Sequence, residues 1–236
     1  MPAHDVGIMH SVEAVHPQRS APAASLLACA AMACFGVSVA IVLVLHLTLG
    51  AEVNPVRQVI SDYAVSGGAL AFAVSALAMA AGAVLLLRGL THAGIPLTTP
   101  IRAVAGIFPA GLTLCAFFPT TLTSAPASLS ADVHRYAGVA LFTGLPSAVH
   151  LLTRRLRHQP LWQDLARRLR TRTNWAWAAL GLFLVSQLPV VLPPGAVTRE
   201  LLWQGLTERF LFLVYLALLA ELAFAVLRSE RTSCSP

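Results

Sequence analysis

The sequence contains no lysine; all 16 of its cationic side chains are arginine. Charge of either sign is scarce. Only 11% of the 236 residues are charged, against about 25% in a soluble domain. So few charges cannot coat a soluble globule of this size, which argues against a soluble enzyme. Cysteine is thin as well. Cys29, Cys34, Cys115 and Cys234 have no Cys-x-x-Cys spacing, and the first three lie in apolar runs. Neither a zinc site nor a disulfide framework is expected. There is no phosphate-binding glycine loop, no dinucleotide fingerprint, no His-Glu-x-x-His and no Gly-x-Ser-x-Gly. No cofactor is expected, and no repeat of solenoid period is present.

What is abundant is apolar surface. Hydrophobic residues make up 57% of the chain and the mean hydropathy is +0.73. A membrane span needs about 20 mainly apolar residues. Six stretches qualify, at 25–49, 69–88, 103–121, 133–153, 174–193 and 206–227. Runs such as 210–220 do not alternate polar with apolar, so helices are expected rather than barrel strands. The expected fold is all-α: a polytopic membrane protein with six transmembrane helices in one domain over 25–228. Residues 1–24, with His4, His10 and His16, and residues 229–236 read as tails. The first span is too long, and too far from the start, to read as a signal peptide.

Arginine placement sets the orientation. Residues 154–172 carry Arg154, Arg155, Arg157, Arg167, Arg168, Arg170 and Arg172, which marks that loop, and with it both termini, as cytoplasmic. Only Arg57, Arg135, Arg199 and Arg209 then fall outside. The net charge of +6 is thus an orientation signal, and no nucleic-acid partner is expected. Leu161, Trp162, Leu165 and Leu169 share one face within the arginine-rich loop, which predicts a short helix lying on the inner membrane surface. The expected location is the cytoplasmic (inner) membrane of a bacterium, crossed several times, with membrane lipids as partners.

The unusual polar residues gather at the outer side. Asn54-Pro55 reads as a helix start, because Asn caps free amides and Pro suits the first helical position. Val53, Val56, Ile60 and Tyr63 follow at helical spacing. They predict a short amphipathic helix in the first outer loop, with Gln58 and Asp62 on one face, ending near Gly67 and Gly68. Asp132, His134 and Arg135 open the fourth span. Gln204, Glu208 and Arg209 open the sixth, with Tyr215 continuing the Gln204 and Glu208 face. Gln187 lies in the outer half of the fifth.

Charges at membrane depth are costly and normally face the bundle interior. Two readings follow. In one, Asp62 or Glu208 pairs with Arg135 or Arg209 to fix helix register. In the other, the cluster is an outward-facing site for a small amphiphile or lipid headgroup. There His134 is the proton shuttle, Asp62 its catalytic partner, and Arg135 with Arg209 an anion clamp. Asn54, Ser61, Tyr63, Gln204 and Glu208 complete the binding set. A metal site is not expected, because Asp132 and His134 diverge by roughly 200° on a helix. Toward the inner side His150 and Glu221 are close enough in depth to pair, or to carry a proton in a small solute transporter. A third class is a non-catalytic assembly or immunity protein that uses the arginine-rich loop as its partner surface.

The order of Asn54-Pro55, Ser61-Asp62-Tyr63, Phe118-Pro119, His134 and an acid in the last span resembles the bacterial and archaeal membrane proteins called domain of unknown function 998. The resemblance covers about residues 25–228. It implies a compact six-helix membrane domain and no particular reaction. Members often carry an acid soon after the Phe-Pro pair, where this chain has Thr120 and Thr121.

Overall fold

In a medium without water, each backbone N–H must find its partner within its own segment, and apolar runs of this length resolve as helices. The computed structural model describes residues 21–121, 128–188 and 203–233. Six α-helices run in order among them: α1 (Ala21–Thr48), α2 (Ala69–His92), α3 (Thr99–Phe117), α4 (Leu129–Leu156), α5 (Gln163–Ser186) and α6 (Gln204–Ser233). Two short 3-10 helices, Ile60–Val65 and Pro160–Trp162, sit between them. All but α5 are long and apolar enough to cross a membrane. The chain is therefore an all-α, multi-span membrane protein. The expected tail histidines, Arg19, Cys234, Arg199, Glu200 and the end of the fifth expected span (189–193) lie outside the described residues.

Consecutive helices pack side by side, and α6 closes the ring against α1. Lipid is as apolar as leucine, so burial alone does not drive such packing; close backbone approach and polar pairs do. At the α1–α2 seam Ala24, Ala28 and Ala31 are fully buried, opposite Gly82 and Gly89. A Cβ on Gly82 would meet the Ala31 carbonyl oxygen at 3.0 Å. The α3–α4 seam repeats the device, since a Cβ on Gly111 would lie 2.9 Å from the Ala137 carbonyl oxygen. Large residues such as Leu26, Leu47 and Leu70 instead face outward, where lipid covers them.

Pro146 lies inside α4 and has no N–H to give to the carbonyl of Phe142, four residues earlier. The hydroxyl of Tyr215 on α6 donates to that same carbonyl. A helix defect in α4 is thus filled from across the bundle. Tyr215→Phe is expected to cost about 1–3 kcal/mol, because it leaves a buried acceptor unpaired. Adding Pro146→Ala, which restores the local donor, should recover part of that loss. Unfolding midpoints in micelles measure both; equal losses in the two backgrounds would refute the pairing.

The arginine-rich segment departs from expectation. It forms no separate surface helix. Residues 163–172 are the first turns of α5 itself, continuous with the fifth expected span. Leu165 and Leu169 are buried in the main core, Trp162 packs against it, and Leu161 remains exposed. Hydrophobic periodicity marks an apolar face but does not say whether lipid or another helix covers it. Here protein covers most of it. Nor do Glu221 and His150 pair. The buried Glu221 carboxylate accepts from Arg168 Nε at 2.7 Å and lies 3.1 Å from Arg172 Nη2, while His150 is exposed.

Candidate functional site

The loop after α1 begins as expected. Asn54 Oδ1 accepts from the amides of Val56 (3.0 Å) and Arg57 (3.2 Å), and Gln58 Oε1 accepts from the Asn54 amide at 2.7 Å. The turn does not continue as one helix. Val59 is extended, and a 3-10 helix starts at Ile60. The reason lies in α6. An α-helix would require the Ile60 N–H to reach the Val56 carbonyl. Instead the Ile60 N–H donates to Glu208 Oε2, and the Val56 carbonyl accepts from the Leu206 amide at 3.1 Å. Tertiary partners on the last helix have taken both ends of the local bond. Gln58 and Asp62 consequently do not share a helix face. Tyr63 and Val53 turn under the loop, fully buried. Gly67, at φ +94°, turns the chain into α2 with a conformation that L side chains rarely adopt.

Arg209 binds this lid to the bundle. Its Nε–H donates to His46 Nε2 (2.7 Å), Nη1 to the carbonyls of Gln58 (2.8 Å) and Gly205 (2.9 Å), and Nη2 to the Tyr63 hydroxyl (3.4 Å). Its guanidinium carbon also lies 5.9 Å from the centroid of the Tyr63 ring. Four of the five N–H groups are therefore committed to protein. His46 donates from Nδ1 to the Val42 carbonyl at 2.7 Å, so its Nε2 is the acceptor of the neutral ring.

Beneath the lid is a cavity of about 280 Å³ in the adjoining half of the bundle, reached by α1, α2, α3, α4 and α6. Its walls are apolar: Val42, Phe72, Met79, Leu112, Phe142 and Phe212 among others. Its polar end is built by His46, Ser61, His134, Glu208 and Arg209. Midway, Ser38 and Ser75 satisfy each other at 2.9 Å. His134 Nδ1 bonds the Phe118 carbonyl at 2.8 Å. A carbonyl can only accept, so Nδ1 carries a proton, and in the neutral ring Nε2 is the acceptor. Glu208 is 6% exposed and forms no ion pair among the described residues.

The expected site residues divide accordingly. Ser61, His134, Glu208 and Arg209 meet at the cavity. Asn54 and Tyr63 build the lid and do not line it. Asp62 flanks it; burial holds its carboxyl above the usual carboxylate range, against the opposing pull of the Val59 amide and Arg209. No hydrogen bond joins Asp62 to His134, whose partner is Phe118. The Gln204 and Gln187 amide nitrogens are buried without a hydrogen bond among the described residues. Arg135 lies apart: its side chain is 70% exposed and sits 3.5 Å from Asp132. His46, Ser38 and Ser75 did not figure in the site expected from sequence. Their signal was available, since they are among the few polar side chains inside apolar runs.

A family model described as "Protein of unknown function (DUF998)" matches residues 32–225. No curated protein and no solved structure matches the chain.

Proposed function

We propose, for a chain that belongs to the family described as protein of unknown function DUF998, a membrane protein that binds or acts on a small amphiphile. The observation that carries this reading is the cavity: apolar walls that end in a compact polar head beneath a lid. Two of its lining residues, Leu43 on α1 and Leu213 on α6, are 58% and 64% exposed. They mark a mouth on the lipid-facing side between those helices, which suits a ligand arriving from the bilayer.

The head is rich in acceptors. His134 Nε2, the Glu208 carboxyl and the Ser61 hydroxyl face the cavity, while Arg209 has one N–H to spare. That composition favours a headgroup that donates, a hydroxyl or an amine, over a phosphate. His134 is placed to take a proton from such a hydroxyl, with Glu208 orienting it. Phe142, in the cavity wall, packs edge to face with Tyr215, which packs likewise with Phe108 beyond the lining. This aromatic layer favours a binding site or enzyme over a carrier with a continuous path. In the full topology α5 supplies a sixth crossing, both termini are cytoplasmic, and the lid faces the outside of a bacterial inner membrane. The twelve-to-four division of arginines supports that orientation.

Gly138 supplies the test. It lines the cavity, and a Cβ there would meet nothing within 4 Å. Gly138→Leu should fill the space without disturbing the fold. A medium-chain monoacylglycerol carrying a diazirine is photolysed with the protein in nanodiscs, and the adducts are mapped. Saturable adducts on α1, α2 and α6 are expected. Losing the burial of two methylenes, at ~0.8 kcal/mol each, weakens binding about tenfold in the filled variant. Equal labelling of both proteins, with the same elution volume, sinks the reading.

A further inference from the structure

The arginines at the other end of the molecule are sorted by direction. Of the seven between residues 154 and 172, Arg168 and Arg172 turn inward to Glu221. Arg154 and Arg157, at the end of α4, and Arg167 and Arg170, on α5, turn the other way and line one cleft of about 650 Å³. His150 and Asn174 line it too, and no carboxylate does. Asp164 pairs with Arg167 at the rim. Arg154, Arg157 and Arg170 have no acidic partner among the described residues.

We infer that this cleft between α4 and α5 binds the phosphate group of an anionic phospholipid. A merely solvated arginine face would be convex and shared with acids throughout, whereas two helices here bring four arginines to one concavity, three of them without an acidic partner among the described residues. Such an arrangement is self-repelling until an anion fills it. Guanidinium groups take phosphate oxygens in pairs, with a directionality that an ammonium group lacks. The level in the membrane fits as well. His150 belongs to the penultimate turns of a spanning helix, while Arg157 caps that helix beyond its last turn. The cleft thus spans the headgroup layer. Basic pockets between spanning helices on the cytoplasmic side are the kind of site that holds anionic headgroups. The cleft shares no residue with the amphiphile cavity, so either assignment stands without the other.

The test uses the delipidated full-length protein in detergent, titrated with phosphatidylglycerol, phosphatidylcholine or inorganic phosphate, and read by native mass spectrometry. Saturable binding of phosphatidylglycerol is expected, with phosphatidylcholine at least tenfold weaker. The double variant Arg154→Gln/Arg170→Gln should weaken phosphatidylglycerol about tenfold or more. The control pair Arg102→Gln/Arg155→Gln removes the same charge from exposed positions outside the cleft and should leave binding unchanged. Equal weakening by the two pairs overturns the site in favour of diffuse surface attraction. Competition by inorganic phosphate at the lipid's own concentration overturns the lipid and makes a free anion the ligand. If the cleft variant loses helical content, Arg157→Gln alone, at the helix cap, replaces it under the same criteria.

Discussion

Arg209→Met should destabilise the protein by about 2–5 kcal/mol, because it leaves several acceptors under the lid without a donor, at ~1–3 kcal/mol for each one buried. Methionine fills much of the space of the arginine stem, so the loss is one of hydrogen bonds and charge rather than volume. The carbonyls of Gln58 and Gly205 each lose a donor, and His46 Nε2 is left with none. Asp62 loses the nearby positive charge that favours its ionised form. Arg209→Lys should rescue only a small part, because an ammonium cannot reach α1, the lid and α6 from one rigid fork. The readouts are the unfolding midpoint in nanodiscs and protease cleavage within 54–65. Cleavage should appear there before helical content falls. An unchanged midpoint with an uncut loop would show that Arg209 does not hold the lid.

Gly205→Val should act on the same contact from the other side. A Cβ at position 205 would lie 2.2 Å from the Gln58 carbonyl oxygen and 2.5 Å from that of Pro55. Those atoms are backbone, not the ends of flexible side chains, so no rotamer change relieves the clash. The lid must lift, and the Leu206–Val56 and Ile60–Glu208 bonds go with it. Overpacking of this kind costs about 1–3 kcal/mol before those bonds are counted. Amide exchange across residues 56–65 should therefore quicken by about a hundredfold, which corresponds to ~3 kcal/mol of lost local stability. Exchange in the α3–α4 seam should not change. Unaltered exchange in the lid would mean that α6 can shift without cost and that glycine is not required there.

Much of this architecture was legible in the residues. Long apolar runs without alternation announced helices in place of barrel strands. Six spans were expected, and five of the described helices are long and apolar enough to cross a membrane. The Asn54 cap was legible for a local reason: its partners are two and three residues away. The end of that helix was not, because the groups that interrupt it at Val56 and Ile60 lie on α6, nearly 150 residues later. The same limit hid His46, whose acceptor role depends on a guanidinium 163 residues distant. Arg135 and Arg209 look alike in the sequence, each near the start of an expected span. One faces outward beside Asp132, while the other enters the bundle.

The bond between lid and last helix also sets an order of assembly. The lid leaves the ribosome well before residues 204–212, which supply its hydrogen-bond partners on α6 and the Phe212 ring packed against it. Until α6 enters the membrane, the Ile60 amide and the Val56 carbonyl have each other as their nearest backbone partners, and a regular helical turn is their local solution. With α6 in place that turn gives way to the native break. The sixth helix is thus a latch, and the cavity has its roof only once α6 has docked.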